Sequence, residues 1–363
     1  MKLKNKNLLG MLKVSAFSVL ALAFCMPAFA GGLRHVKEVL VAPPNLPAHS
    51  QIAKGGPVII DVELTTIEKN WIIDGNGTQI SGMTYNGTNP GPIIVAHVGD
   101  YLQLTLTNPK SSIFEHNIDL HAATGELGSA HINKVKPGES VTVRFHMIKS
   151  GIFTYHCAPG GIMIPYHIVQ GMTGAIMVLP RGGLTDGHGH KLHYDRAYYI
   201  GENDFYIPKD KDGNYKKYAN AADAMDDTLK VMRGLIPTHM GFGGKAFAYT
   251  GKNALKAKVG ENVLILHSQA NNVSSPHLIG GHADYVWIYG GFKSPPVRDL
   301  QTWFIPAGGA VAAMYKFRYP GLYVYLNHNI IKAVMLGAAL HFHVTGKPAS
   351  PDLMQVIKKQ HAI

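Results

Sequence analysis

Thiols are scarce in this 363-residue sequence, which has only two cysteines, Cys25 and Cys157. A disulfide scaffold is therefore excluded. The N-terminal apolar stretch, Val14 to Phe24, is shorter than the ~20 residues a bilayer span needs. Blocks of like charge are also lacking: the 34 basic and 23 acidic residues are interspersed, which argues against a nucleic-acid face and leaves room only for a weak preference for anions or an acidic partner. What the chain does have is 20 histidines, 14 methionines, 40 glycines and 21 prolines, a composition suited to metal ligation and to β structure with many tight corners.

Residues 1–30 read as a secretory signal. Lys2, Lys4, Lys6 and Lys13 precede the apolar stretch, and Ala28-Phe29-Ala30 supplies a small-residue cleavage pattern. Export to the periplasm follows, with no stable membrane insertion once the signal is removed. Cleavage takes four lysines and no acid, so the formal charge falls from +11 to +7. It also removes Cys25 and leaves Cys157 as a lone thiol in an oxidising compartment, where a single thiol is a buried hydrophobe, an accident or a chemical ligand.

The remaining length exceeds what one core usually holds, and an internal repeat divides it. Val98-Gly99-Asp100 is followed at fixed offsets by His116 and His121; Val259-Gly260-Glu261 is followed at the same offsets by His277 and His282. Each half then closes on a glycine and an alternating β-branched and aromatic run into a histidine, Gly151 to His156 and Gly321 to His328. Period-2 stretches such as Tyr101–Thr107 and Val141–Phe145 read as strands, and Asp74-Gly-Asn-Gly and Asn86-Gly87 read as turns. The expectation is an all-β chain of two tandem β-sandwich domains, 31–190 and 191–363. Between Leu184 and Met232 the sequence turns polar, with one helix-like piece from Ala221 to Met232; this predicts a domain junction and an excursion able to contact another subunit.

The strongest chemical signal is His116 with Cys157, His167 and Met172, the last three spaced C-x9-H-x4-M. One soft thiolate, two imidazoles and a weak thioether form the set that suits copper cycling between Cu(I) and Cu(II). The alternative is a buried Cys and Met with incidental histidines. His121, His156 and His328 remain as imidazoles without a thiol, and three neutral imidazoles leave a fourth position open for catalysis. His156 directly precedes Cys157, a short covalent path that suggests one-electron transfer between two metals. In the His116–His121 segment, strand alternation puts residues 117, 119 and 121 on one face, setting Asp119 beside the open position. Asp119 and His277 are candidate proton donors, against the plainer readings of a loop acid and a hydrogen-bonded core histidine. His282 reads as structural.

The segments H-N-I-D-L-H-A-A-T-G, Y-H-C-A-P-G-G, M-I-P-Y-H-I-V-Q-G-M, H-S-Q-A-N, P-H-L-I-G-G-H-A-D-Y-V-W and N-H-N-I-I-K-A resemble copper nitrite reductases, and the similarity runs from about Val58 to Met354. The resemblance implies two cupredoxin-like Greek-key domains and a homotrimer with two coppers per subunit. It assigns His116, Cys157, His167 and Met172 to a type 1 copper, and His121 and His156 to a type 2 copper completed by His328 of a neighbour. It makes Asp119 and His277 the proton relay, Ile279 the apolar wall that orients the anion, and Thr302 the residue that holds His277. Nitrite is the implied substrate, and a small cupredoxin or cytochrome c the implied donor. Three departures stand out: a Cys157–His167 loop one residue longer than usual, Tyr166 where Trp is frequent, and Gln301 where Glu is frequent.

Two rival readings are weighed against this one. A laccase-like multicopper oxidase needs about eight histidines in H-x-H pairs; His341-Phe-His343 is the one convincing pair, and Ala158 follows Cys157 where a further His would stand. A non-enzymatic electron shuttle would not need His328. His188, His190 and His193 read as a solvated loop.

Overall fold

The computed structural model describes residues 32–357 and 359. The signal expected over residues 1–30, with Cys25, lies outside the described residues. From Arg34 onward the chain forms one compact unit, and none of its described helices is long and apolar enough to cross a membrane.

Among the described residues, four sheets make up this unit. Strands from His35 to Leu179 build the first two, one ordered His35–Lys37, Ile59–Ile72, Tyr101–Thr107, Ser140–His146, with Gln79–Tyr85 hydrogen-bonded to the second of these, and one ordered Ile94–His97, Thr173–Leu179, Gly151–His156, Asp119–Leu120. Strands from Arg196 to Thr345 build the other two, a five-stranded sheet centred on Asn262–Gln269 and a four-stranded sheet in which Gly321–Asn327 lies between Pro276–Ile279 and Ala339–Thr345. The all-β expectation holds, and the architecture is the two-domain cupredoxin fold.

Alternation explains the packing. Along Tyr101–Thr107 the residues Leu102, Leu104 and Leu106 are buried while Tyr101, Gln103, Thr105 and Thr107 face outward. The first core gathers these leucines with Val62, Leu64, Ile118, Tyr155, Cys157 and Met172, so the thiol sits at the edge of a dry sandwich interior. A separate cluster joins Ile93, Val95, Ile152 and Met177 of the first pair of sheets to Tyr199, Leu264, Leu266, Trp287 and Met314 of the second. This shared apolar layer is why the two sandwiches form one body.

One sequence expectation needs correction. The polar stretch from Leu184 to Met232 is not only junction and excursion: Arg196–Phe205 is a core strand of the second sandwich, paired in parallel with Asn262–Gln269. Its Glu202, Asn203 and Asp204 are buried because internal partners satisfy them. The helix Ala221–Met232 forms as expected, with Asn220 capping the Asp223 amide, and it packs Ala221, Met225, Leu229 and Met232 onto the first core of its own chain.

Candidate metal centres

The thiolate cluster is assembled from three elements. Cys157 follows the end of strand Gly151–His156, His116 lies in a segment bridged to Val135, and His167 rides on a short helix, Met163–Val169, where the sequence suggested only a restricted loop. Pro165 is tolerated there because the first-turn amides of a helix have no intrahelical partner. Cys157 Sγ lies 3.8 Å from His116 Nδ1 and 3.2 Å from His167 Nδ1, and all three residues are fully buried. Met172 is buried as well, and its carbonyl accepts the Cys157 amide at 3.1 Å, which brings the two residues side by side.

This chemistry fits copper. Burial pushes the Cys157 thiol up to about 12 and His167 down to about 3, so the imidazole is neutral and a thiolate needs a cation beside it. The site is also braced from outside. His116 Nε2 meets Glu68 Oε1 at 3.2 Å, and the same carboxylate accepts the amides of Ile113 and Phe114. Burial opposes ionisation of Glu68, yet the bonds from His116 and the two amides hold its carboxyl below the usual range. Tyr166, one of the departures from the resemblance, is buried and donates its hydroxyl to the Ala221 carbonyl on the covering helix.

Asp119, His121 and His156 form a second cluster. Asp119 and His156 are cross-strand partners, and the carboxylate lies 4.0 Å from His121 Nε2 and 3.9 Å from His156 Nε2. The Thr154 hydroxyl donates to the Gly308 carbonyl at 3.1 Å, so at 2.8 Å it accepts from His121 Nδ1. The Cys157 carbonyl likewise accepts from His156 Nδ1 at 3.2 Å. Both Nε2 lone pairs therefore face each other, 3.1 Å apart. Two lone pairs and a carboxylate converging on one point call for a cation, and burial followed by the neighbouring His121 lowers the His156 pKa, so its proton is not the cation supplied. Asp119 and His121 share the outward side as alternation predicts. Asn117 does not; it is buried, with its amide 3.4 Å from Cys157 Sγ.

The remaining expected residues meet elsewhere on the chain. His277 and His328 pack edge to face with ring centroids 5.0 Å apart. His277 Nδ1 donates to the Gln301 carbonyl at 2.6 Å, with the Thr302 hydroxyl 3.4 Å away. Because the backbone of residue 301 makes this bond, Gln in place of Glu leaves it intact. Ile279 is exposed next to this group, and His328 is exposed and outside the Asp119, His121, His156 cluster. Thus a single chain carries two separate groups, one of two imidazoles and a carboxylate, the other of His328, His277, Ile279 and Thr302.

Other histidines lie outside both clusters. His341 and His343 lie on the strand Ala339–Thr345, and His188, His190 and His193 occupy an exposed loop in which His190 bonds Asp186 at 2.7 Å. Exposed His282 lines a surface cleft of about 650 Å³ with Asp284, Tyr315 and Arg318. Two residues that brace the imidazoles, Glu68 and Thr154, are absent from the sequence-based set. Thr154 carried a faint signal, lying two positions before His156 on one strand face; Glu68, 48 residues from its partner, carried none.

Comparison with known proteins agrees with this geometry. The multicopper oxidase family profile matches residues 66–183. The copper-containing nitrite reductase of Alcaligenes faecalis is 55% identical over 318 residues, covering 88% of this chain and 84% of that protein. That of Pseudomonas chlororaphis is 54% identical, covering 91% and 90%. Among solved structures, the copper nitrite reductase from Nitrosomonas europaea superposes with a TM-score of 0.66 at 28% identity, covering 81% of this chain and 96% of that one.

Proposed function

The chain belongs to the copper-containing nitrite reductases, an oxidoreductase family, and from that premise we propose that it reduces nitrite in the periplasm by one electron, NO2− + 2H+ + e− → NO + H2O, as a step of denitrification. One observation carries the reading: two donor sets of different chemistry, one built on a thiolate and one on facing imidazoles, joined through the adjacent residues His156 and Cys157. Copper bound there supplies a one-electron relay at the thiolate set and a Lewis-acid anchor for an anion at the imidazole set.

His116, Cys157, His167 and Met172 would hold the type 1 ion, and His121, His156 and His328 the type 2 ion, two coppers per subunit. The two protons that the reaction consumes need two donors. Asp119 stands within 4.0 Å of both Nε2 atoms and would move one. His277, steered by the Gln301 carbonyl and Thr302, would move the other. Ile279 would form an apolar wall against the anion and limit its orientations.

Both groups are bordered by exposed apolar side chains. Leu127 and Ile132 follow Asp119, His121 and the adjoining segment, while Ile330, Ile331, Val334 and Met335 follow His328. Such surface marks a contact with a partner and, together with the homotrimer that the resemblance implies, supports an assembly in which His328 and His277 of one subunit complete the Asp119 site of the next. The domains would divide near residue 190, and a small cupredoxin or cytochrome c would deliver the electron.

The direct test uses copper-loaded protein with nitrite and an artificial reductant. Nitric oxide should form with one electron consumed per nitrite, and electron paramagnetic resonance should resolve two copper environments per chain. Oxidation of phenols by oxygen without nitric oxide formation would overturn the proposal in favour of an oxidase.

A further inference from the structure

A carboxylate buried beside a metal site constrains that site more than a neutral group can. The Glu68 side chain is 9% exposed and its partner His116 is fully buried. Its two oxygens take four short contacts: His116 Nε2 at 3.2 Å, the Phe114 amide at 2.9 Å, and the Ile113 amide at 2.9 and 3.0 Å. A carboxylate that already accepts two amides accepts from His116 as well, so His116 carries its proton on Nε2 and turns the Nδ1 lone pair toward Cys157 Sγ, 3.8 Å away.

The same bonds reach the second imidazole. The Phe114 amide is tied to Glu68, and the Phe114 ring packs edge-on against His167 with centroids 5.4 Å apart, and against Tyr166 at 6.3 Å. His167 needs that support, because its Nε2 is buried with no hydrogen-bond partner. One carboxylate thus orients His116 directly and His167 through the Phe114 ring.

We propose that Glu68 is a positioning residue of the thiolate site. It fixes both imidazole ligands, and its negative charge favours the more highly charged Cu(II) over Cu(I), holding the site's reduction potential down. This rests on the reading that copper occupies the Cys157 cluster.

The test is a spectroelectrochemical titration of the thiolate-to-copper absorption in copper-loaded parent and Glu68→Gln. Glutamine keeps the shape and removes the charge. The absorption should persist, and the reduced-to-oxidised ratio at a fixed potential should rise at least tenfold, a midpoint about 59 mV higher. A ratio within twofold of the parent would overturn the proposal. A second measurement needs no variant: in parent protein moved into deuterated water, pulsed electron paramagnetic resonance should find one remote imidazole proton of the thiolate site protected for hours. Complete exchange within minutes would also overturn it. Absence of the absorption from the parent itself would instead refute copper at Cys157.

Discussion

Replacing Asp119 with Asn removes an acid while keeping the side chain's size, and the structure sets the scale of the loss. The carboxylate faces both Nε2 atoms at 3.9 to 4.0 Å, close enough to serve a molecule bound between them. A positioned general acid contributes roughly 10²–10⁴-fold. With His277 still present as the proposed second donor, the lower end applies, and turnover should fall about 10²-fold, ~2.7 kcal/mol in the barrier. An independent perturbation reaches the same carboxylate from behind. Gly128 adopts φ +55°, and a Cβ there would lie 2.1 Å from Asp119 Oδ1, so Gly128→Ala must push the carboxylate away. A displacement of ~1 Å can cost up to ~10²-fold, so this variant should lose turnover without losing an ionisable group. The assay is the initial rate of nitric oxide formation with an artificial reductant, with copper content and thiolate-to-copper absorption measured on the same samples. Fully loaded Asp119→Asn that retains more than about a third of parental turnover would refute the assignment.

Copper uptake should depend on pH with a definite sign. The Cys157 thiol, pushed up to about 12 by burial, is protonated between pH 6 and 8 and loses that proton on binding, while His167, pushed down to about 3, has none to release. Apparent affinity at the thiolate site should therefore rise about tenfold per pH unit and weaken as pH falls; chelator competition at pH 6, 7 and 8 reads this, and a flat profile would contradict it. Stability should hinge on a buried network in the second sandwich, where Glu202 accepts from His267 at 3.1 Å and from Asn327 at 2.9 Å, all within the core. Glu202→Leu strands both donors and should cost about 3–5 kcal/mol in chemical denaturation; a loss below ~1 kcal/mol would show that the network relaxes.

Much of the metal chemistry was legible because its residues are rare. A lone thiol with His167 and Met172 at loop spacing, and histidines at matching offsets in a repeat, stand out against any composition. Strands such as Tyr101–Thr107 were legible because one face is dry and the other wet. Arg196–Phe205 was not, since its Glu202 and Asp204 are buried against His267 and Asn271, and a pattern that equates polar with exposed cannot see partners about 65 residues away. The same limit hid Glu68 and obscured Thr154. Asn117 was misplaced because the extended segment is regular only over Asp119–Leu120, and the Asn117 side chain is drawn inward by the carbonyls of Ala130 and Ala158. That His328 stands outside the group of His121 and His156 could be told from the sequence only through the resemblance, because no spacing rule separates the three imidazoles.

Cys157→Ala tests most directly the claim that electrons enter at the thiolate copper and are used at the imidazole copper. In this variant copper should fall from two per chain to one, the visible absorption should disappear, the imidazole-site resonance should persist, and nitric oxide formation driven by a protein donor should stop. Full donor-driven turnover in that variant would contradict the claim.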